Sequence, residues 1–162
     1  MKALSIRQPW ANMICCGYPD FRQIDNGDGS HSLEWTGRII HQNIENRSYP
    51  TNYRGRIYIH AATKWAKGDT VTELMRIGVP PFYALMAHSS DKRLVPHGAI
   101  IGEVDIVCCL HETDYGGYPW VVSIPSLYPW FTGPWGWLLA NPVAYDEPIL
   151  YRGQRGLFDV EL

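Results

Sequence analysis

The chain has 162 residues, enough for one domain with its own core and short of the length at which two are usual. Hydrophobic residues make up 46% and charged residues 19%, with no polar low-complexity run, which excludes a disordered chain. The net charge of −2 argues against a uniformly basic nucleic-acid binder, and no window nears the roughly 20 apolar residues of a membrane-spanning helix, so no membrane partner is expected.

Residues 2–7 read as a short strand that Gln8 and Pro9 turn into a helix, because proline in a first helical turn gives up no hydrogen bond. Trp10, Met13 and Ile14 share one face of that helix, and Gly17 ends it. Arg7 and Gln8 interrupt any apolar run at the start, so no signal peptide is read there. Residues 18–37 turn rich in Gly, Asp and Ser and are expected to form a flexible insertion or a hairpin.

A strand is expected at 39–44 and the strongest one at 55–62, where Ile57 and Ile59 alternate with Tyr58 and His60. Helices are expected at 71–77, with Asp69 as N-cap, and at 82–88, opened by Pro80 and Pro81. A long strand at 98–110, a loop at 115–135 rich in proline and tryptophan, and strands at 136–144 and 156–162 complete the chain. Strands outnumber the two or three short helices, and no βαβ alternation is visible. The expected fold is therefore α+β, a single domain over residues 1–162 built as a small mixed β-barrel with its helices at the rim.

The four cysteines fall as adjacent pairs, Cys15 with Cys16 and Cys108 with Cys109. Neither pair suits a disulfide or has the C-x-x-C spacing of a metal site, so they read as buried free thiols of a cytoplasmic protein, with zinc as the lesser reading. No phosphate loop, dinucleotide fingerprint or H-E-x-x-H appears, and no cofactor or metal is implied.

The most informative stretch is ENRSYPTNYRGRIYIHAA, from Glu45 to Ala62. Six cations, Arg38, Arg47, Arg54, Arg56, Lys64 and Lys67, surround a single anion, Glu45, giving a local charge of +5 in a chain whose remainder sums to −7. One basic face on an acidic body still attracts phosphate, since association follows the local potential; a solvated surface strand is the alternative. Glu45 and Arg47, two apart, share one face of an extended segment. The carboxylate can accept from an exocyclic amine and the guanidinium can bind phosphate or a base edge, or the two can simply pair with their neighbours.

Tyr49 and Tyr53 offer faces for base stacking or cover the barrel end, and Gly55 permits close approach between Arg54 and Arg56. Gln8 sits at a strand-to-helix corner where backbone N–H groups are free. His60 reads as a general base or a hydrogen-bonded strand residue, and Lys64 as the nearest lysine for covalent or acid–base chemistry or a solvated cation. The aromatic loop holds Trp120, Tyr128, Trp130, Phe131, Trp135 and Trp137. Trp135 and Trp137 are expected to wrap the barrel and Trp130 to stack on a ligand, while a homodimer contact would account for the same composition.

The segments LSIRQPWA, ENRSYPTNYRGRIYIHAA and GAIIGEVDIVCCL, in this order, and the tail from Phe131 onward, resemble the ASCH domain of the PUA-like superfamily. The resemblance spans nearly the whole chain outside 18–37. It implies a nucleic-acid-binding barrel with a cleft beside it, and RNA or single-stranded DNA as partner. In the hydrolase branch of that family a lysine lies three residues before the position of Glu45; here that residue is Gln42, a neutral amide that cannot act as nucleophile or general base. The expectation is a binding module that recognises RNA or single-stranded nucleic acid, with a modified base as a candidate ligand, through Gln8, Glu45, Arg47, Tyr53, Arg54, Lys64 and Trp130. The alternatives are a small hydrolase of nucleosides or RNA using Glu45, His60 or Lys64, and an interaction protein acting through its tryptophan loop.

Overall fold

The computed structural model describes residues 1–112 and 130–162. In chain order these form β1 (Lys2–Gln8), α1 (Trp10–Cys15), β2 (Tyr18–Asp25), β3 (His31–Ile40), β4 (Ile44–Arg47), β5 (Gly55–Trp65), α2 (Thr70–Arg76), α3 (Pro81–Met86), β6 (Ala99–His111), β7 (Trp135–Leu150) and β8 (Leu157–Asp159). Strands predominate and the helices are short, which is the α+β class the sequence predicts.

Six strands form one sheet in the order β4-β7-β6-β5-β1-β8, while β2 and β3 pair separately as an antiparallel hairpin that occupies the 18–37 insertion. β1 runs parallel to β5, and the other neighbours in the large sheet are antiparallel. The six strands do not close into a hydrogen-bonded ring: β4 and β8 are the two ends of the order.

β5 shows how alternation builds two apolar layers. Ile57, Ile59 and Ala61 are fully buried in the main core with Leu4, Ile14, Val104, Ile106 and Trp137. On the other face Tyr58 packs against a smaller cluster of Ala3, Ile100, Phe158 and Val160, and the His60 ring meets Phe158 edge to face at 6.3 Å. Both faces of this strand are thus covered, which is why His60 is only 2% exposed.

The strand expected at 39–44 is broken. Ile39 and Ile40 end β3, and the next residues leave the ladder because the end of α1 captures them: Gln42 N–H donates to the Met13 carbonyl at 2.8 Å, and His41 Nδ1 lies 3.0 Å from the Ile14 carbonyl. β4 then starts afresh at Ile44. Gly17 allows this approach, since it has φ of 63° and a Cβ there would run into the backbone of Ile40.

Asp69 caps α2 as expected, its Oδ1 accepting from Thr72 N–H at 3.0 Å. β7 continues to Leu150, past the predicted end at residue 144, because it pairs with β6 as far as Ala99 opposite Leu150. The last strand is shorter than predicted and covers only Leu157–Asp159. Most of the expected loop at 115–135, with Trp120 and Tyr128, lies outside the described residues. No helix of the described residues is long and apolar enough to cross a membrane.

Candidate functional site

A cleft of about 470 Å³ opens between β1, β4 and α2. Its floor is set by β4, where Glu45 and Arg47 point the same way, as their spacing requires. Glu45 is 8% exposed, and Arg47 Nε lies 3.0 Å from its Oε1. The two groups form a buried ion pair in which the Nε–H is poorly aligned with the carboxylate. Arg47 Nη2 instead donates to the Ser5 carbonyl of β1 at 3.1 Å, and the guanidinium carbon sits 5.7 Å from the centre of the Trp137 ring. Burial raises the Glu45 carboxyl above its ordinary value, against the opposing pull of the Arg47 charge.

Gln42 lines the same floor and is 5% exposed. Its Nε2 donates to the Ile44 carbonyl at 2.6 Å, but its Oε1 is buried with no partner. Buried polar atoms are nearly always satisfied, and the Gln42 Oε1 is an exception on the cleft floor, as Asn43 Oδ1 is outside it. Asn46 holds the opposite wall: its Nδ2 donates to the Trp130 carbonyl at 2.7 Å and its Oδ1 accepts from Thr132 N–H at 2.9 Å. Arg7, Lys67 and Glu73 also line the cleft, Arg7 and Lys67 being exposed to solvent.

Of the residues singled out in the sequence, Glu45, Arg47 and Trp130 come together here. Trp130 is 5% exposed and belongs to the core cluster of Met13, Leu74 and Ala84, so it is packed from behind while it lines the cleft. Gln8 does not reach the cleft. It is fully buried, its Nε2 donating to Asn12 Oδ1 at 2.9 Å and to the Pro96 carbonyl at 2.8 Å, and its Oε1 accepting from Asn12 N–H at 3.0 Å. Every polar atom of that side chain is spent on holding α1 to the 94–96 segment, where Asn12 Nδ2 also donates to the Leu94 carbonyl.

Tyr53 and Arg54 lie outside as well. The Tyr53 hydroxyl donates to the Arg56 carbonyl at 3.0 Å, and Arg54 Nη1 donates to the carbonyls of Thr51 and Tyr53, so both brace the turn that enters β5. Tyr49 packs edge-on against Trp137 at 5.8 Å. Arg56 is held by Glu103 at 2.7 Å and Asp105 at 3.4 Å, which removes it from the expected basic face. Lys64 lines a second hollow, apart from Glu45.

His60 is enclosed, with Nδ1 3.0 Å from Ser5 Oγ and Nε2 2.9 Å from the Tyr151 carbonyl. A carbonyl only accepts, so Nε2 carries the proton and Nδ1 accepts from the serine. Both ring nitrogens are engaged and burial lowers the ring's affinity for a second proton. Of the three candidates for acid–base work, His60 and Lys64 line the second hollow together and Glu45 lines the first.

The cysteines are free, but they are not all buried: Cys15 is enclosed, its thiol pushed up by desolvation, Cys16 is exposed, and Cys108 and Cys109 are half-buried on β6. Cys16 closes α1 at the surface, beyond the face that packs on the sheet. Trp137 is buried at 1% exposure, and Trp135 lies tilted against the His111 ring at 4.4 Å.

Sequence reasoning passed over Gln42 as a ligand, counted Lys67 only as one cation of the basic face, and missed Arg7 and Asn46. The pattern at 42–47, in which Gln42, Glu45 and Arg47 are polar around the buried Ile44, carried the signal. Comparison with protein-family models gives no match to the chain, and comparison with curated proteins gives none either.

Proposed function

We propose that this protein is an ASCH-type module of the PUA-like class that binds RNA or single-stranded DNA by taking one unpaired base into the cleft between β1, β4 and α2. The reading is supported above all by the floor of the cleft, where the buried Gln42 Oε1 has no hydrogen-bond partner and lies in one lining with the ion-paired Glu45 and Arg47. An acceptor amide, a carboxylate and a guanidinium within one cavity suit the mixed donor and acceptor edge of a base. Trp130, packed in the core, backs the cleft with an apolar wall. Arg7 and Lys67, at the solvent side, suit the phosphates that follow. The approach of β4 to β1, bridged by Arg47 and the Ser5 carbonyl, is compatible with a PUA-like barrel left open at one seam.

The test is binding of short labelled RNA and DNA oligonucleotides by fluorescence anisotropy at several salt concentrations, for wild type and Gln42→Ala. Affinity is expected to fall steeply with salt and to weaken at every salt in the variant, because no buried amide then meets the base. Binding that ignores both salt and Gln42 rejects the reading. The recovered strands are run on a denaturing gel, where intact strands are expected and cleaved ones would replace the binding module by a hydrolase.

A further inference from the structure

A second hollow, of about 520 Å³, adjoins the base cleft across Ser5 and Arg7, which line both. Its walls are the end of β5 and the segment after β7, and it carries four cations, Arg7, Lys64, Arg152 and Arg155, with no acidic residue. All four are exposed, and none is in an ion pair among the described residues. Lys2, Arg22, Arg47, Arg56 and Arg93, by contrast, each have a carboxylate within 3.4 Å.

Arg38, Arg54, Lys67, Arg76 and Lys92 are likewise in no ion pair among the described residues, so what distinguishes this hollow is that four cations line one concavity that holds no acidic residue. They repel one another and create a positive potential that an anion relieves. The hollow is also built firmly at its base. Gly153 lies directly on His60 and Ser5, where any Cβ would collide with the imidazole ring and the serine hydroxyl. His60 in turn holds the carbonyl of Tyr151 at 2.9 Å, and Tyr151 N–H donates to the Gly98 carbonyl at 3.2 Å. Arg152 and Arg155 are thus presented from a segment pinned to β1, β5 and the start of β6. Thr63 and Gln154 add a hydroxyl and an amide to the lining.

We propose that this hollow is a phosphate site, which takes a phosphoryl group of a strand whose neighbouring base occupies the cleft beside Glu45. Two arginine forks and a lysine match the spread of charge over phosphate oxygens, and Arg7 stands at the junction of the two cavities. The source of the phosphate rests on the proposed nucleic-acid reading; the anion site itself does not.

The experiment follows backbone amide shifts of the full chain while inorganic phosphate is added, and in a second series a four-nucleotide single strand, for wild type and Arg152→Ala/Arg155→Ala. Both residues are exposed, so the variant's spectrum away from the hollow serves as its folding control. Saturable movement of the Gly98 and Gly153 amides with phosphate, weakened about tenfold or more in the variant, is expected. With the strand the same amides are to move, and the slope of log affinity against log salt is to fall by about 0.7 for each phosphate that the variant leaves unneutralised. A response to phosphate without one to the strand keeps the site and removes the nucleic-acid reading. Strand binding with an unchanged salt slope in the variant, or wild-type amides that respond to neither probe, overturns the phosphate site.

Discussion

Arg47 on β4 donates to the carbonyl of Ser5 on β1 at 3.1 Å, joining two strands that three others separate in the sheet order. The contact exists because the sheet curls until β4, at one end, approaches β1, the strand next to the other end, and the gap left between them is the cleft. Arg47 therefore has two tasks, to close the seam and to neutralise the buried Glu45. Arg47→Ala is expected to lose about 3 kcal/mol of stability, since it strands a buried carboxylate as well as a carbonyl. Adding Glu45→Gln should recover part of that loss by removing the unpaired charge. Urea denaturation of the three proteins checks this; a single variant as stable as wild type would show that the seam needs no clamp.

Glu45 sets the pH dependence of binding. Burial raises its carboxyl above the ordinary value of 4.5, against the pull of Arg47, so it gives up its proton at a higher pH than an exposed glutamate does. A base that donates N–H to the carboxylate binds better once the proton has left. Affinity is expected to rise as pH goes up through the raised value, by about tenfold or more for a charged hydrogen bond, and to level off when ionisation is complete. Oligonucleotide titrations from acidic to neutral pH, repeated with Glu45→Gln, measure it. The variant should show a flat profile, and a wild-type profile equally flat counts against Glu45 as a ligand.

The elements were legible because their patterns are local. Ile57 and Ile59 declared β5, and Asp69 declared the start of α2, from neighbours alone. The site was legible only where it too is local: Glu45 and Arg47 share a face by spacing. Gln8 looked exposed at its corner, but the partner that consumes its amide is Pro96, a contact 88 residues away in the chain that no local pattern encodes. Lys64 comes after the strand predicted at 55–62 and reads from the sequence as the lysine nearest Glu45, yet it lies within β5, and the parallel pairing of β5 with β1 carries it to the other hollow. Arg152 and Arg155, in the sequence YRGQRG, have no periodicity to flag them. Only the folding of that segment over Ser5 and His60 gives them a common target.

The same distinction predicts a contrast among arginines. Arg54 is exposed and its guanidinium is held by carbonyls of its own turn, at 3.0 Å to Thr51 and 2.7 Å to Tyr53. Arg54→Ala should leave oligonucleotide affinity within about twofold of wild type, because a distant exposed charge is screened by salt. Arg7→Ala removes a cation from both cavities and should weaken binding by about tenfold at low salt, with a shallower salt slope. Side-by-side titrations decide, and a larger loss for Arg54 than for Arg7 would move the binding surface to the turn before β5.

His60 makes stability depend on pH without any ligand. It is buried with Nε2–H donated to the Tyr151 carbonyl and Nδ1 accepting from Ser5, and burial lowers its value below the ordinary 6.5. Above that ordinary value neither the folded nor the unfolded chain protonates the ring, and its contribution to stability is constant. As pH falls through the window between 6.5 and the lower folded value, the unfolded chain takes up a proton that the folded chain refuses. Stability must fall with pH across that window. Urea midpoints between about pH 5 and pH 8 should therefore decline on the acid side for wild type. His60→Gln carries no titrating ring, so its midpoint should decline less over the same range even if it starts lower. Parallel curves for the two proteins would mean that another group sets the acid limit of this fold.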